Sequence, residues 1–169
     1  MHTAELLVDA FARVRDVVGA AVDGLTPGQL TWRVHAESNT IGWLVWHLTR
    51  IQDDHVGSAY RSEQVWAEGW ADRFALPFDE SATGYGQSPQ EVAAVRVDAD
   101  LLAGYHDAVH DRTVELLRGI TDADLDRVVD EGWDPPVTLG MRLVSVISDD
   151  LQHAGQAAYV RGLVQQSRY

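Results

Sequence analysis

Two adjacent carboxylates and a histidine, Asp149, Asp150 and His153, interrupt the stretch VSVISDDLQHAG over 144–155, in what is otherwise an apolar helical pattern. Leu139, Leu143, Val146 and Ile147 come before them and Ala157, Val160 and Val164 after, at the spacing of the buried side of an amphipathic helix. His153 is expected on that stripe. Asp149 lies one turn back at i−4 and Asp150 at i−3, so on a helix either carboxylate can share a ligand with the imidazole. Unpaired charge is rarely buried, and a divalent cation is one natural partner for such a group. A core histidine hydrogen-bonded to a neighbouring aspartate is the other reading.

A further imidazole, His47, sits in GWLVWHLTRIQDDH over 42–55. The inner stripe there is Ile41, Leu44, Leu48, Ile51 and His55, and His47 stands about 40° from Ile51 and about 60° from Leu44 at helical angles. It either faces a bundle interior or stands at its boundary with the ring tip in water. Trp43 and Asp54 share its face, where they can line a pocket or orient the His47 ring through its free nitrogen. His106 and His110 in HDAVH have i, i+4 chelating spacing. Each is about 100° from the inward residue before it, next to Asp107 or Asp111, so the pattern argues against them as ligands.

These residues need helices to carry them, and the chain is long enough to supply a core: 169 residues, 46% hydrophobic, fit one domain spanning 1–169. No cysteine is present, which excludes disulfides and thiolate ligands and means that any catalytic thiol arrives on another molecule. The net charge of −13, without a Lys/Arg cluster, argues against a nucleic-acid partner. Charges run through the apolar positions of the first 22 residues, so they read as neither a signal segment nor a membrane span, and a cytoplasmic location is expected.

In chain order, a first helix is expected over 4–22, with Leu6, Leu7, Ala10, Phe11, Val14, Val17, Val18 and Ala21 inward, ending near Gly24. Thr26-Pro27 caps a short turn of helix. A second long helix, 39–59, is capped by Ser38 or Asn39. Residues 61–88 are rich in Gly, Pro and Ser yet carry Trp66, Trp70, Phe74, Phe78 and Tyr85, which reads as a lid over a cavity or as a dimer contact. Ser88-Pro-Gln-Glu91 is a capping box. The third long helix covers 99–119, with Leu102, Tyr105, Val109, Thr113 and Leu116 inward, and the fourth covers 139–164, capped by Thr138. A short helix capped by Thr121 falls between them. With no convincing alternating strand, the architecture is an all-α four-helix bundle with extra short helices in its connections.

GWLVWHLTRIQDDH and the C-terminal WDPPVTLGMRLVSVISDDLQHAGQAAYVRGL carry a resemblance over nearly the whole chain. It resembles the DinB-like superfamily of metal-binding four-helix bundles, in the mycothiol-dependent branch that includes the N-terminal domain of maleylpyruvate isomerases. The resemblance implies one metal ligand from the second helix, which is His47, and a pair from the fourth, which lands on Asp149 and His153 in DLQHAGQ. Asp stands where His or Glu is commoner, shortening the reach relative to Glu and leaving Asp150 as the alternative carboxylate.

Two imidazoles and a carboxylate suit Zn²⁺, with Ni²⁺, Fe²⁺ or Mn²⁺ as alternatives, and leave coordination positions open. The implied function is a metal-dependent thiol S-transferase or isomerase, in which mycothiol or a related small thiol, held as thiolate by the metal, attacks an electrophilic substrate. Arg142, two turns before Asp149, is a candidate for an anionic group of thiol or substrate, with a structural salt bridge as its other role. Two further functions fit the same residues. One is a hydrolase whose metal-bound water is served by His55 or Asp54; the other is a non-catalytic metal-binding stress-response bundle. A homodimer or a monomer is expected, with no membrane partner.

Overall fold

Each long periodic stretch is a helix in the computed structural model, which describes residues 2–166. In chain order the helices are α1 (Thr3–Val22), α2 (Pro27–Leu30), α3 (Ile41–Tyr60), α4 (Trp70–Phe74), α5 (Pro89–Ala94), α6 (Ala99–Leu117) and α7 (Leu139–Gln166). Single 3₁₀ turns occupy Val65–Ala67 and Asp122–Asp126. A small antiparallel hairpin, β1 (Val128–Asp130) with β2 (Val137–Thr138), precedes α7 and is a feature that the sequence pattern did not disclose. No helix of the described residues is long and apolar enough to cross a membrane.

Local chemistry sets the helix starts. The Thr26 and Ser88 hydroxyls accept from the backbone N–H groups of Gln29 and Glu91, completing capping boxes for α2 and α5. The cap of α3 is Thr40 rather than Ser38 or Asn39: its hydroxyl accepts from the Trp43 N–H at 3.0 Å. Thr138 serves α7 in the same way, accepting from Met141.

The four long helices form the bundle, with α7 packed along both α3 and α1, and α6 along the other side of both. Arg15 meets Asp107 across α1 and α6, and Gly19 and Ala20 near the end of α1 share a cavity with Ala99 and Asp100 at the start of α6, so those two run antiparallel. Gln52 donates to Thr113, and Arg50 to Tyr105, so α3 and α6 run parallel. Arg161 donates to the Ala21 and Asp23 carbonyls while Phe11 packs beside Leu143 and Val146, which makes α1 and α7 parallel. The hand-off is therefore up, down, down, up, and it makes the second and fourth long helices antiparallel neighbours. That adjacency is what lets His47 meet residues of α7.

At one end Phe11, Leu117, Leu139 and Leu143 are fully buried together. Each such side chain contributes about 1.5–3 kcal/mol relative to exposure. The larger cluster spans Val14, Val18, Leu44, Leu48, Leu102, Val109 and Val160 and continues into the tryptophans of the 61–88 connection. Several inward assignments shift. Leu6, in the first turn of α1, is 57% exposed. On α6 the buried set includes Leu117, His106 and His110, so the two histidines are interior rather than off the inward face. On α7 the buried line is Leu139, Leu143, Val146, Asp150, Ala154, Ala157, Val160 and Val164, so Asp150 occupies the stripe and His153 flanks it.

From Ile41 to Arg50 every residue of α3 is buried, which a simple amphipathic helix would not show. The 61–88 connection covers the face that would otherwise meet water. Its anchor is Asp53, whose two carboxylate oxygens accept from the Val65 and Trp66 N–H groups at 2.9 and 2.8 Å and from the Tyr105 hydroxyl at 2.7 Å. Arg50, fully buried beside Asp53, donates to the carbonyls of Ala82 and Glu80 and to Gln64 Oε1. Burial pushes the Asp53 carboxyl above its usual range, against the opposing pull of those hydrogen bonds and of the Arg50 charge. Trp66 and Phe74 are buried and Phe78 packs on Trp46, so this segment is a lid fastened to the bundle, while Tyr85 is 93% exposed.

Candidate metal centre

His47 comes from the buried first half of α3, and Asp149 and His153 from the flank of α7 that faces it. One ligand atom from each of the three lies within 4.8 Å of the others. The His47 and His153 rings are 4.9 Å apart at 71°, edge toward face, and His153 Nε2 is 3.6 Å from Asp149 Oδ1. His47 is 6% exposed. His153 and Asp149 retain 19% and 37% of their side-chain exposure, so the group opens on the α7 side.

Both imidazoles are held by Nδ1. His47 Nδ1 donates to the Thr83 carbonyl, which can only accept, so the proton is fixed on Nδ1 and the Nε2 lone pair is left free. His153 Nδ1 lies 3.1 Å from Gln156 Oε1, a partner of the same kind. The His47 ring is stacked on Trp43 at 4.6 Å and 15°, and the Trp43 indole N–H donates to Gln87 Oε1 at 2.7 Å. Burial lowers the His47 pKa, opposed by the Thr83 bond, so the ring is neutral and able to donate its lone pair.

The backbone approaches this site closely. A Cβ built at Gly84, where φ is +98°, would lie 2.7 Å from His47 Nδ1 and 3.1 and 3.2 Å from the Trp46 and Trp43 rings. Only glycine fits there, on both steric and conformational grounds.

The donor set fits a divalent ion. Asp149 Oδ2 is buried with no hydrogen-bond partner, an arrangement that costs free energy unless a cation or donor meets it. Two imidazoles, that of His47 with its Nε2 lone pair free, and a carboxylate make a borderline nitrogen and oxygen set of the kind Zn²⁺ takes. Each histidine also has the outer hydrogen bond that metal-bound histidines usually show.

The remaining candidates fall elsewhere. Asp150 is fully buried on the core stripe with both oxygens unpartnered, and burial pushes its pKa well up, with Asp149 adding to the shift. It is not in the cluster with His47 and His153. Asp54 does not orient His47: it accepts from Gln64 and pairs with His55 at 3.3 Å, about two helical turns along α3. His55, expected on the inner stripe of α3, is 36% exposed. His106 Nε2 and His110 Nδ1 are buried without partners, and burial lowers the His106 pKa to about 3. Arg142 is paired with Asp130 at 2.7 Å.

Thr83, Gly84 and Gln87 escaped the sequence pattern because the lid contributes a backbone carbonyl, an absent side chain and an amide. Gln156 lay in the quoted DLQHAGQ, yet its spacing alone carried no role.

The sequence model of a family described as mycothiol-S-transferase matches residues 6–166. A crystal structure of a conserved protein from Enterococcus faecalis superposes with a TM-score of 0.90 at 30% identity, covering 99% of each chain. Among curated proteins none matches.

Proposed function

Because the chain belongs to the mycothiol-S-transferase family, a family of DinB-like bundles, we propose that it is a thiol S-transferase or isomerase in which mycothiol or a related small thiol, having lost its thiol proton, bonds intact through its sulfur to an electrophilic substrate, with the help of a divalent ion held by His47, Asp149 and His153. Zn²⁺ is the ion that the donor set suits best, with Ni²⁺, Fe²⁺ and Mn²⁺ as alternatives. The observation that carries the reading is the convergence of two imidazoles, each held by Nδ1, on a carboxylate with an orphaned buried oxygen. The ion would supply the positive charge that keeps a thiol deprotonated at neutral pH.

The residues of the chain do the rest. Trp43 and the Thr83 carbonyl hold the His47 ring at a fixed angle, so no reorganisation is needed when a substrate arrives. Gly84 and the Trp46 and Trp43 rings close the His47 side against water. Substrate then approaches along the side where Asp149 and His153 are exposed. With no cysteine in the chain, the sulfur nucleophile is external.

The test is turnover of an electrophile panel by metal-loaded protein with and without mycothiol. Thiol-dependent turnover that disappears in His153→Ala supports the reading. Equal rates with and without thiol would point instead to hydrolysis, and metal occupancy without turnover to a binding role.

A further inference from the structure

Resting on that reading, the groove between α3 and α7 must also receive whatever carries the thiol. His55 lies eight residues past His47 on α3 and Arg142 seven residues before Asp149 on α7. At the helical rise these offsets are about 12 and about 10 Å; seven residues return Arg142 close to the side of Asp149, while His55 is turned about 80° from His47 and Ser58, one turn further on, only about 20°. The two helices run antiparallel, so both offsets lead to the same end of the groove. There His55, Ser58, Asp130, Trp133 and Arg142 line a cavity of about 470 Å³.

The chemistry of this cavity is that of a polyol site. Arg142 and Asp130 neutralise each other at 2.7 Å, and Asp130 Oδ1 also accepts from the Gly132 N–H at 2.9 Å, so the pair offers no net charge for an anion. A guanidinium has donors left after one contact, and a carboxylate has lone pairs left. His55, paired with Asp54, and the exposed Ser58 hydroxyl add mixed donor and acceptor groups. Trp133, at the rim on the β1–β2 connection, is 67% exposed. An indole left in water at the mouth of a polar cavity is an apolar face for the C–H side of a ring.

Mycothiol carries its cysteinyl sulfur on a glucosamine joined to inositol. The inositol is separated from the sulfur by about eight bonds, on the order of 10 Å at covalent dimensions. That span is of the same order as the axial offsets of His55 and Arg142 from the cluster. We propose that this cavity is the subsite for the sugar and inositol rings of the thiol, with Trp133 stacking on a ring face and the Arg142–Asp130 pair bonding its hydroxyls. Arg142 then acts as a neutralised hydroxyl binder and not as an anion receptor.

The probe is glucosaminyl-inositol, the thiol without its cysteinyl arm, titrated calorimetrically into the full-length protein with and without metal. Saturable binding of equal strength in both states is expected, since the probe does not reach His47, Asp149 or His153. Trp133→Ala should weaken it at least tenfold while leaving the thermal melt in place, as suits an exposed residue, and Trp133→Phe should recover most of the affinity. Absent binding, or binding indifferent to Trp133→Ala, overturns the subsite. The two readings separate cleanly: mycothiol-dependent turnover without probe binding removes the subsite and keeps the transferase, whereas Trp133-dependent probe binding without turnover keeps the subsite and removes the transferase.

Discussion

Replacing Gly84 by alanine tests the outer support of the proposed metal site without touching His47, Asp149 or His153. The new methyl would stand 2.7 Å from His47 Nδ1, so either the imidazole or the lid has to move, and the Thr83 hydrogen bond on that nitrogen is lost or stretched. Disturbing such an outer partner typically costs about 10- to 100-fold in metal affinity, or about 1.4–2.7 kcal/mol. The φ of +98° adds a separate backbone cost of about 1–3 kcal/mol to folding. Gly86→Ala separates the two effects: its φ is +72° but nothing lies within 4 Å of its added Cβ. Zn²⁺ affinity by chelator competition and urea stability of the metal-free protein should both fall in Gly84→Ala, whereas Gly86→Ala should lose stability alone. A folded Gly84→Ala that holds Zn²⁺ as tightly as the parent would refute the role given to the Thr83–His47 contact.

Single changes of His47, Asp149 or His153 to alanine should strip the metal in elemental analysis, while Asp150→Ala and the double change His106→Leu with His110→Leu should keep its stoichiometry. The reverse pattern would mean that the wrong side chains have been chosen. His106, neutral in the fold with a pKa near 3, binds fewer protons folded than unfolded between there and about 6.5. Its stabilising effect is therefore complete above about pH 6.5 and is lost as pH falls. Between about pH 7.5 and pH 5 the loss is about 2 kcal/mol, and His106→Leu should remove that slope from urea melts. Asp53→Ala leaves Arg50 buried and unpaired and frees the Val65 and Trp66 N–H groups, so a loss of about 3–5 kcal/mol and faster proteolysis within 61–88 are expected. Unchanged stability would show that Asp53 does not fasten the lid.

What the sequence discloses follows from what periodicity can encode. The four helices and the capping boxes at Thr26 and Ser88 are local, and their extents agree with the pattern to within a residue or two at most ends. The pairing of Asp149 with His153 is also local, and the family resemblance named His47 beside them. Periodicity failed where one helix meets two different neighbours. On α6 the inward arc is widened by α1, which buries His106 and His110. On α7 most of the expected hydrophobic positions are buried, but the line passes through Asp150 and Ala154 instead of His153, because a carboxyl takes a core position that an apolar pattern cannot flag. The β1–β2 hairpin was too short to leave an alternating signature.

The lid explains why His47 is more enclosed than its helix alone predicts, and it sets the direction of access. Its hold on α3 is mostly through main-chain atoms: the Thr83 carbonyl on His47, the Ala82 and Glu80 carbonyls on Arg50, and the Val65 and Trp66 N–H groups on Asp53. Side-chain identity in 61–88 therefore says little about these contacts, whereas the buried polar residues of α3 that answer them are specific. Fastened at three places along α3, the lid covers the metal cluster from one side and leaves the α7 side open, where Asp149 and His153 keep part of their exposure. Further along the same two helices, toward the hairpin, Arg142 and Trp133 line a separate cavity with His55 and Ser58. On the proposed reading, a thiol whose sulfur reaches the histidines while its polar rings stay hydrated lays those rings toward the cavity beside the hairpin.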